Sequence, residues 1–232
     1  MSDHPKKSLL PEKIKKKVLI SLLLCLVPIL IGFLLWNHLD EQIPVHFNMN
    51  GEVDGYASKS FAILFIPLFC LACNAFCLWA TLSSPKRGSI GSKMMNLLFW
   101  LIPAIELVVM ALLYLAALTE PIPFTVSLWI GTLLGVLFMV LGTRMPKVSQ
   151  NYVVGVRTPW TLDNPEIWTK TNRMAGRWMF VFGLIGLILA WIPGFAEISL
   201  FSWVVCALVL SIGSMAYSWY LYRHLPAGQK NS

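Results

Sequence analysis

Near the middle of the apolar run Met94–Leu118 stands a single carboxyl, Glu106. Placing a charge there costs about 2.5–3.5 kcal/mol on insertion scales, so an intramembrane acid marks a proton or ion site by default. A neutral glutamic acid bonded to a neighbouring helix, or to the Phe99 carbonyl that Pro103 frees, is the structural alternative. Asn74, in a second apolar run, is the candidate polar partner. His46, Glu52 and Asp54 carry metal-ligating atoms but match no ligand spacing, and a solvent-facing hairpin accounts for them better. Cys70, Cys73 and Cys77 share one helix face, as do small apolar packing residues. The chain has no His-Glu-x-x-His, no Gly-x-Ser-x-Gly, no paired intramembrane aspartates and no phosphate-binding glycine loop. One carboxyl without a base or metal partner makes no catalytic site, so no enzyme, metal or cofactor is expected.

The elements that must position these groups are set by composition. Of 232 residues, 57% are hydrophobic and 12% charged, and the mean hydropathy is +0.69. A soluble domain needs roughly 25% charged residues. Apolar runs occupy Val18–Trp36, Phe61–Leu82, Met94–Leu118, Phe124–Leu141, Trp178–Phe195 and Ile198–Tyr222. A membrane helix needs about 20 residues to cross a core of about 30 Å, and continuous runs favour helices over a barrel's alternating strands. The expected fold is an all-α integral membrane protein of about six transmembrane helices. Its parts are a basic segment (1–17), two spans with an outer loop at 38–60 (18–82), four spans with an inner loop at 142–177 (83–223) and a tail (224–232). Pro28, Pro67 and Pro103 should kink the first three helices, and Gly131-x-x-x-Gly135 and Ser211, Ser214 and Ser218 offer close contact surfaces. Trp36, Trp79, Trp178, Trp191, Trp203 and Trp219 suit the headgroup region.

Six spans place all Lys and Arg except Lys59 on one face, including six lysines before the first span and Arg144, Lys147, Arg157, Lys170, Arg173 and Arg177 in the fourth loop. By the positive-inside rule that face is cytoplasmic, with both termini. The net charge of +7 therefore requires no nucleic acid, and anionic membrane lipids suffice as its partner. The first run is longer than a signal-peptide core and lacks a small-residue cleavage site, so it should be retained.

Two loops carry the specific residues. In the first, Asn50-Gly51 predicts a tight turn between short arms, Pro44–Phe47 and Glu52–Tyr56. In the fourth, Asn164-Pro165-Glu166 predicts a helix start. Ile167, Trp168, Thr171, Met174, Ala175 and Trp178 then fall on one face, and Lys170, Arg173 and Arg177 on another. That pattern predicts an amphipathic helix lying on the inner leaflet before it turns into the fifth span. Arg157 is expected to fix the loop by pairing with Asp163, Glu166 or a lipid phosphate.

These loops also carry a family resemblance. Asn151-Tyr152, Gly155-Val156-Arg157-Thr158-Pro159-Trp160-Thr161-Leu162, Trp168, Thr171-Asn172-Arg173 and Gly176 resemble the SdpI family, although Asn172 stands where many members are expected to carry histidine. Ile43-Pro44-Val45-His46-Phe47-Asn48, Gly51, Asp54-Gly55 and Lys59 resemble the domain of unknown function often fused before it. The resemblance implies a bacterial cell-membrane protein that confers immunity to a secreted membrane-active peptide toxin. It implies, in addition, signalling by holding a small DNA-binding repressor at the membrane. On this reading the outer hairpin meets the hydrophobic peptide and the inner basic loop holds a partner, with Pro44, His46, Phe47, Asn48, Gly51, Asp54, Gly55, Asn151, Gly155, Arg157, Thr158, Pro159, Trp160, Thr161, Trp168, Asn172 and Arg173 as binding or loop-building residues. A small transporter or channel using Glu106 is the alternative, though no internal repeat relates the two halves of the chain.

Overall fold

Hydrocarbon offers no partner to a backbone amide or carbonyl, so apolar runs must fold as helices that bond within themselves. The computed structural model describes residues 10–48, 52–119, 126–192 and 194–226. Among them are 6 helices long and apolar enough to cross a membrane. In chain order these are α1 (Glu12–Leu34), α2 (Phe61–Ser83), α3 (Ser92–Leu118), α4 (Val126–Arg144), α5 (Pro165–Trp191) and α6 (Ala196–Arg223). Between α1 and α2 lies an antiparallel hairpin, β1 (Gln42–Phe47) and β2 (Val53–Ser58), pairing Gln42 with Ser58 and Pro44 with Tyr56. The Asn50-Gly51 turn, residues 1–9, Phe124 and Pro193 lie outside the described residues.

The prolines act differently from one another. α1 is interrupted at Cys25 and Leu26, just before Pro28, and resumes over Val27–Leu34. α2 opens with a π-helical stretch, Phe61–Phe65, immediately before Pro67. α3 runs unbroken through Pro103, because the carbonyl that this proline strips of its amide partner, at Phe99, accepts the Ser21 hydroxyl of α1 at 2.6 Å.

The helices pack as two trios, α1–α3 and α4–α6, joined more sparsely through α3 and α4. In the first, Gly32 lets α1 approach so closely that an added Cβ would fall 2.7 Å from Ile63 and 2.5 Å from the Tyr114 hydroxyl. In the second, α4 and α5 share the most extensive helix contact. A Cβ on Gly142 would lie 2.7 Å from the Gly176 carbonyl oxygen, and one on Gly183 would lie 2.8 Å from the Gly135 carbonyl oxygen. The expected Gly131/Gly135 surface thus contributes Gly135, and its continuation is Gly142, about two turns on. Of the serine series on α6, Ser214 and Ser218 are buried, whereas Ser211 is exposed and back-bonds to Ala207. Trp79, Trp178, Trp191 and Trp219 are exposed, but Trp203 is buried across Gly186, so packing removes it from the expected aromatic belt.

The predicted surface helix is corrected. Its amphipathic pattern is real, with Ile167, Trp168, Thr171 and Ala175 buried and Lys170, Arg173 and Arg177 exposed. Yet Pro165–Trp191 is one continuous helix with no turn before the fifth span. Its apolar stripe is covered by the preceding loop, so it has no need to lie along the membrane surface. The cysteine trio does not act as one packed face either, since Cys77 is exposed and Cys70 and Cys73 are half-buried.

The glycine contacts generate a stability prediction. Gly142→Leu should lower the unfolding free energy in detergent by about 1–3 kcal/mol, as overpacked sites do. Gly213→Ala, on α6 with nothing within 4 Å of the added carbon, should be neutral or slightly stabilising. Thermal unfolding of both variants beside the wild type measures this.

Candidate functional site

The segment joining α4 to α5 is built by buried polar side chains rather than by secondary structure. Asn151 is fully buried and saturates its amide locally. Its oxygen accepts the amides of Val153 and Val154, both at 2.8 Å, and its nitrogen donates to Ser149 at 2.9 Å and Val154 at 3.0 Å. Asn172, on α5, accepts the Val156 amide at 2.8 Å and donates to the Trp168 carbonyl at 3.0 Å. It is thereby a backbone clamp in this chain. Gly155 passes over Trp168 and Asn172 with φ +127°, where a Cβ would meet the indole at 2.7 Å, so both the dihedral and the space demand glycine. Trp168 is buried among Ile90, Met94 and Val148 and donates its indole N–H to the Val148 carbonyl at 2.8 Å.

A helical turn, Pro159–Asp163, follows, closed by a reciprocal cap between Thr158 and Thr161. Thr161 also donates to the Val156 carbonyl at 2.8 Å, and Thr158 donates to Ser218 on α6 at 3.0 Å. Gln150 ties the start of the segment to its end through the Thr161 and Leu162 carbonyls. Asn164 caps α5 by accepting from Glu166 and Ile167. Two expectations for Arg157 are overturned. Its guanidinium donates to the Tyr152 carbonyl at 2.6 Å instead of pairing with Asp163 or Glu166, and Glu166 pairs with Lys170. Arg157, Pro159 and Arg173 are exposed, as is Tyr152, and Trp160 is half-buried.

The hairpin is anchored at the other end of α3. Ile43 and Leu39 join Ala62, Ile63, Met110, Leu113 and Tyr114 in one buried cluster. Lys59 is 6% exposed, caps the Trp36 and Leu39 carbonyls at 3.3 and 3.2 Å, pairs with Glu41 at 3.0 Å and lies over the Trp36 ring. His46 pairs with Asp54 at 2.5 Å, while Glu52 bonds to Asn48 instead. Among the described residues no cluster of His, Cys, Asp and Glu could hold a metal. Gly55 sits against His46 where a Cβ would come within 2.8 Å. Pro44 is buried, Phe47 and Asn48 are half-buried, and His46 and Asp54 are exposed. The two loops are not brought together: Met94 touches one cluster and Met110 the other, about 24 Å apart along α3 at 1.5 Å per residue.

Between them lies the intramembrane polar group. Asn74 on α2 donates to the Ser21 hydroxyl at 2.8 Å and approaches Cys25 Sγ at 3.6 Å. Glu106 is 3% exposed and bonds to neither Asn74 nor the Phe99 carbonyl, which Ser21 has already taken. Ser21, Cys25 and Gln150 were not singled out from sequence, since hydroxyl, thiol and amide side chains carry no spacing signal until the helices are packed.

Residues 147–218 match the SdpI/YfhL protein family, and residues 23–71 match a domain of unknown function, DUF1648. Immunity protein SdpI of Bacillus subtilis (strain 168) is 28% identical over 212 residues, covering 90% of this chain and 98% of that one. No solved structure matches. Asn151, Gly155, Arg157, Thr158, Thr161, Trp168 and Asn172 all fall inside the first matched segment and the hairpin inside the second, so this membrane protein is similar to the SdpI/YfhL family over residues 147–218 and to DUF1648 over residues 23–71.

Proposed function

We propose that this protein confers immunity to a secreted, membrane-active peptide toxin at a bacterial cell membrane. The observation that carries the reading is the similarity to immunity protein SdpI over 90% of this chain and 98% of that one. The orientation belongs to the proposal. The face bearing the basic loops and both termini is cytoplasmic, since Lys59, the lysine of the other face, is buried and neutralised by Glu41. The hairpin then meets the peptide outside, with Tyr56, 60% exposed, and the His46–Asp54 pair on its surface. Inside, Arg157, Pro159 and Arg173 project from a rigid scaffold and are the residues a repressor-like partner would touch. A preorganised loop loses little entropy on binding, which suits it to recognition.

Four measurements test this. A toxin-sensitive bacterium expressing the protein should survive an SDP-type peptide at concentrations that kill cells without it, and equal killing with verified insertion would refute the immunity reading. Arg157→Ala with Arg173→Ala should insert and keep most of its stability yet weaken partner recruitment by about 1–3 kcal/mol, roughly five- to 150-fold. Trp168→Ala should instead cost about 3–5 kcal/mol of stability and remove both activities together. For orientation, a membrane-impermeant thiol reagent should label Tyr56→Cys in intact cells and Ser149→Cys only after permeabilisation.

A further inference from the structure

The polar group between α1, α2 and α3 has an imbalance that neither loop explains. Ser21 has one hydroxyl hydrogen and gives it to the Phe99 carbonyl. Toward Asn74 it can only accept, so Asn74 must present its amino group there and turn its carbonyl oxygen away. That oxygen has no donor, and neither has either carboxyl oxygen of Glu106. Three acceptors in side chains 0% and 3% exposed therefore lack a hydrogen bond of ordinary geometry, with the weak Cys25 thiol donor the nearest hydrogen to Glu106. The Cys25 thiol links the two sites, lying 3.6 Å from the Asn74 amino group and interacting with the Glu106 carboxyl without reaching hydrogen-bond geometry. The titratable groups facing Glu106 are Cys25 from α1, Cys70 from α2 and Tyr114 from its own helix. None is a cation, and the Tyr114 hydroxyl hydrogen is engaged by the Pro28 carbonyl at 2.8 Å.

An ionised carboxylate without donors or a counter-charge is not sustained in such surroundings. The smallest ligand that repairs the imbalance is a hydrogen ion, which turns one of the three acceptors into a donor. A metal cation would find too few oxygens here, since hard cations take about six. We propose that Glu106 and Asn74 form an intramembrane proton-binding site, with the proton on the Glu106 carboxyl and the Asn74 carbonyl oxygen as its acceptor, directly or through one water. Ser21 orients Asn74 for this, and the freed Phe99 carbonyl orients Ser21. Ser21, Asn74 and Glu106 all lie outside the two family-matched segments, and the site is tested without toxin, so it can fail while the immunity reading stands.

Infrared spectra of the full-length protein in lipid bilayers at neutral pH test the site without any toxin. The wild type should show the C=O stretch of a protonated carboxyl, and Glu106→Gln should lose it. In Asn74→Leu the band should persist at a shifted frequency, because its acceptor is gone. Carboxylate stretches in place of that band would overturn the proposal, as would a protonated band that appears only when sodium is withdrawn, since that would make this a cation site. An unshifted band in Asn74→Leu would remove Asn74 from the site. If Glu106→Gln does not insert, isotope-labelled glutamate in the wild type gives the same reading. A protonated-carboxyl band that moves with the label supports the proposal, and absence of such a band overturns it.

Discussion

The Ser21–Phe99 hydrogen bond shows the constraint under which the whole bundle is organised. Proline denies a carbonyl its helical partner, hydrocarbon supplies none, and another helix must therefore deliver a donor. Ser21 does so for α3, and Tyr114 of α3 returns a bond to α1 at Pro28. These reciprocal bonds set the register of α1 against α3, and Asn74 adds α2 to the same chain of donors. The second trio obeys the constraint differently. Its helices keep their own hydrogen bonds and carry no proline in their interiors, so they associate by close backbone approach through Gly135, Gly142, Gly176 and Gly183. The first trio is tied mainly by polar side chains at its prolines, the second mainly by close approach at its glycines.

The same need for internal satisfaction explains the loop ahead of α5. A segment of this length with only short helical turns has many amides and carbonyls to pair. Asn151, Gln150, Thr158, Thr161 and Asn172 pair them, and Trp168 fills the space beneath. Residues that look like a binding motif in sequence are thus largely spent on holding the backbone. The side chains that remain outside include Tyr152, Arg157, Pro159 and Arg173. The hairpin divides its residues in the same way, with Ile43, Pro44 and Lys59 turned inward and His46, Asp54 and Tyr56 outward. The two loops stand at opposite ends of α3, so any communication between them must pass through the helices, and the Glu106 group lies on that route.

By itself the sequence determined the helical class, the number of long helices, the hairpin and the start of α5 at Asn164, while α1 and α5 begin well before the apolar runs that mark them. These follow from local rules: hydropathy over a helix length, turn residues and capping residues act within a few positions of one another. It also marked Glu106 and Asn74 as polar residues in apolar runs, and the loop residues by their resemblance to a family. The tertiary structure decided the pairings. Asn74 bonds to Ser21 rather than Glu106, Arg157 to the Tyr152 carbonyl rather than an acid, and Trp203 to Gly186 rather than to the membrane edge. It also decided that α5 runs straight from Pro165, because the loop that covers its apolar stripe comes from earlier in the chain. A hydrogen bond between helices depends on their relative rotation and depth, and no periodicity within one helix encodes either.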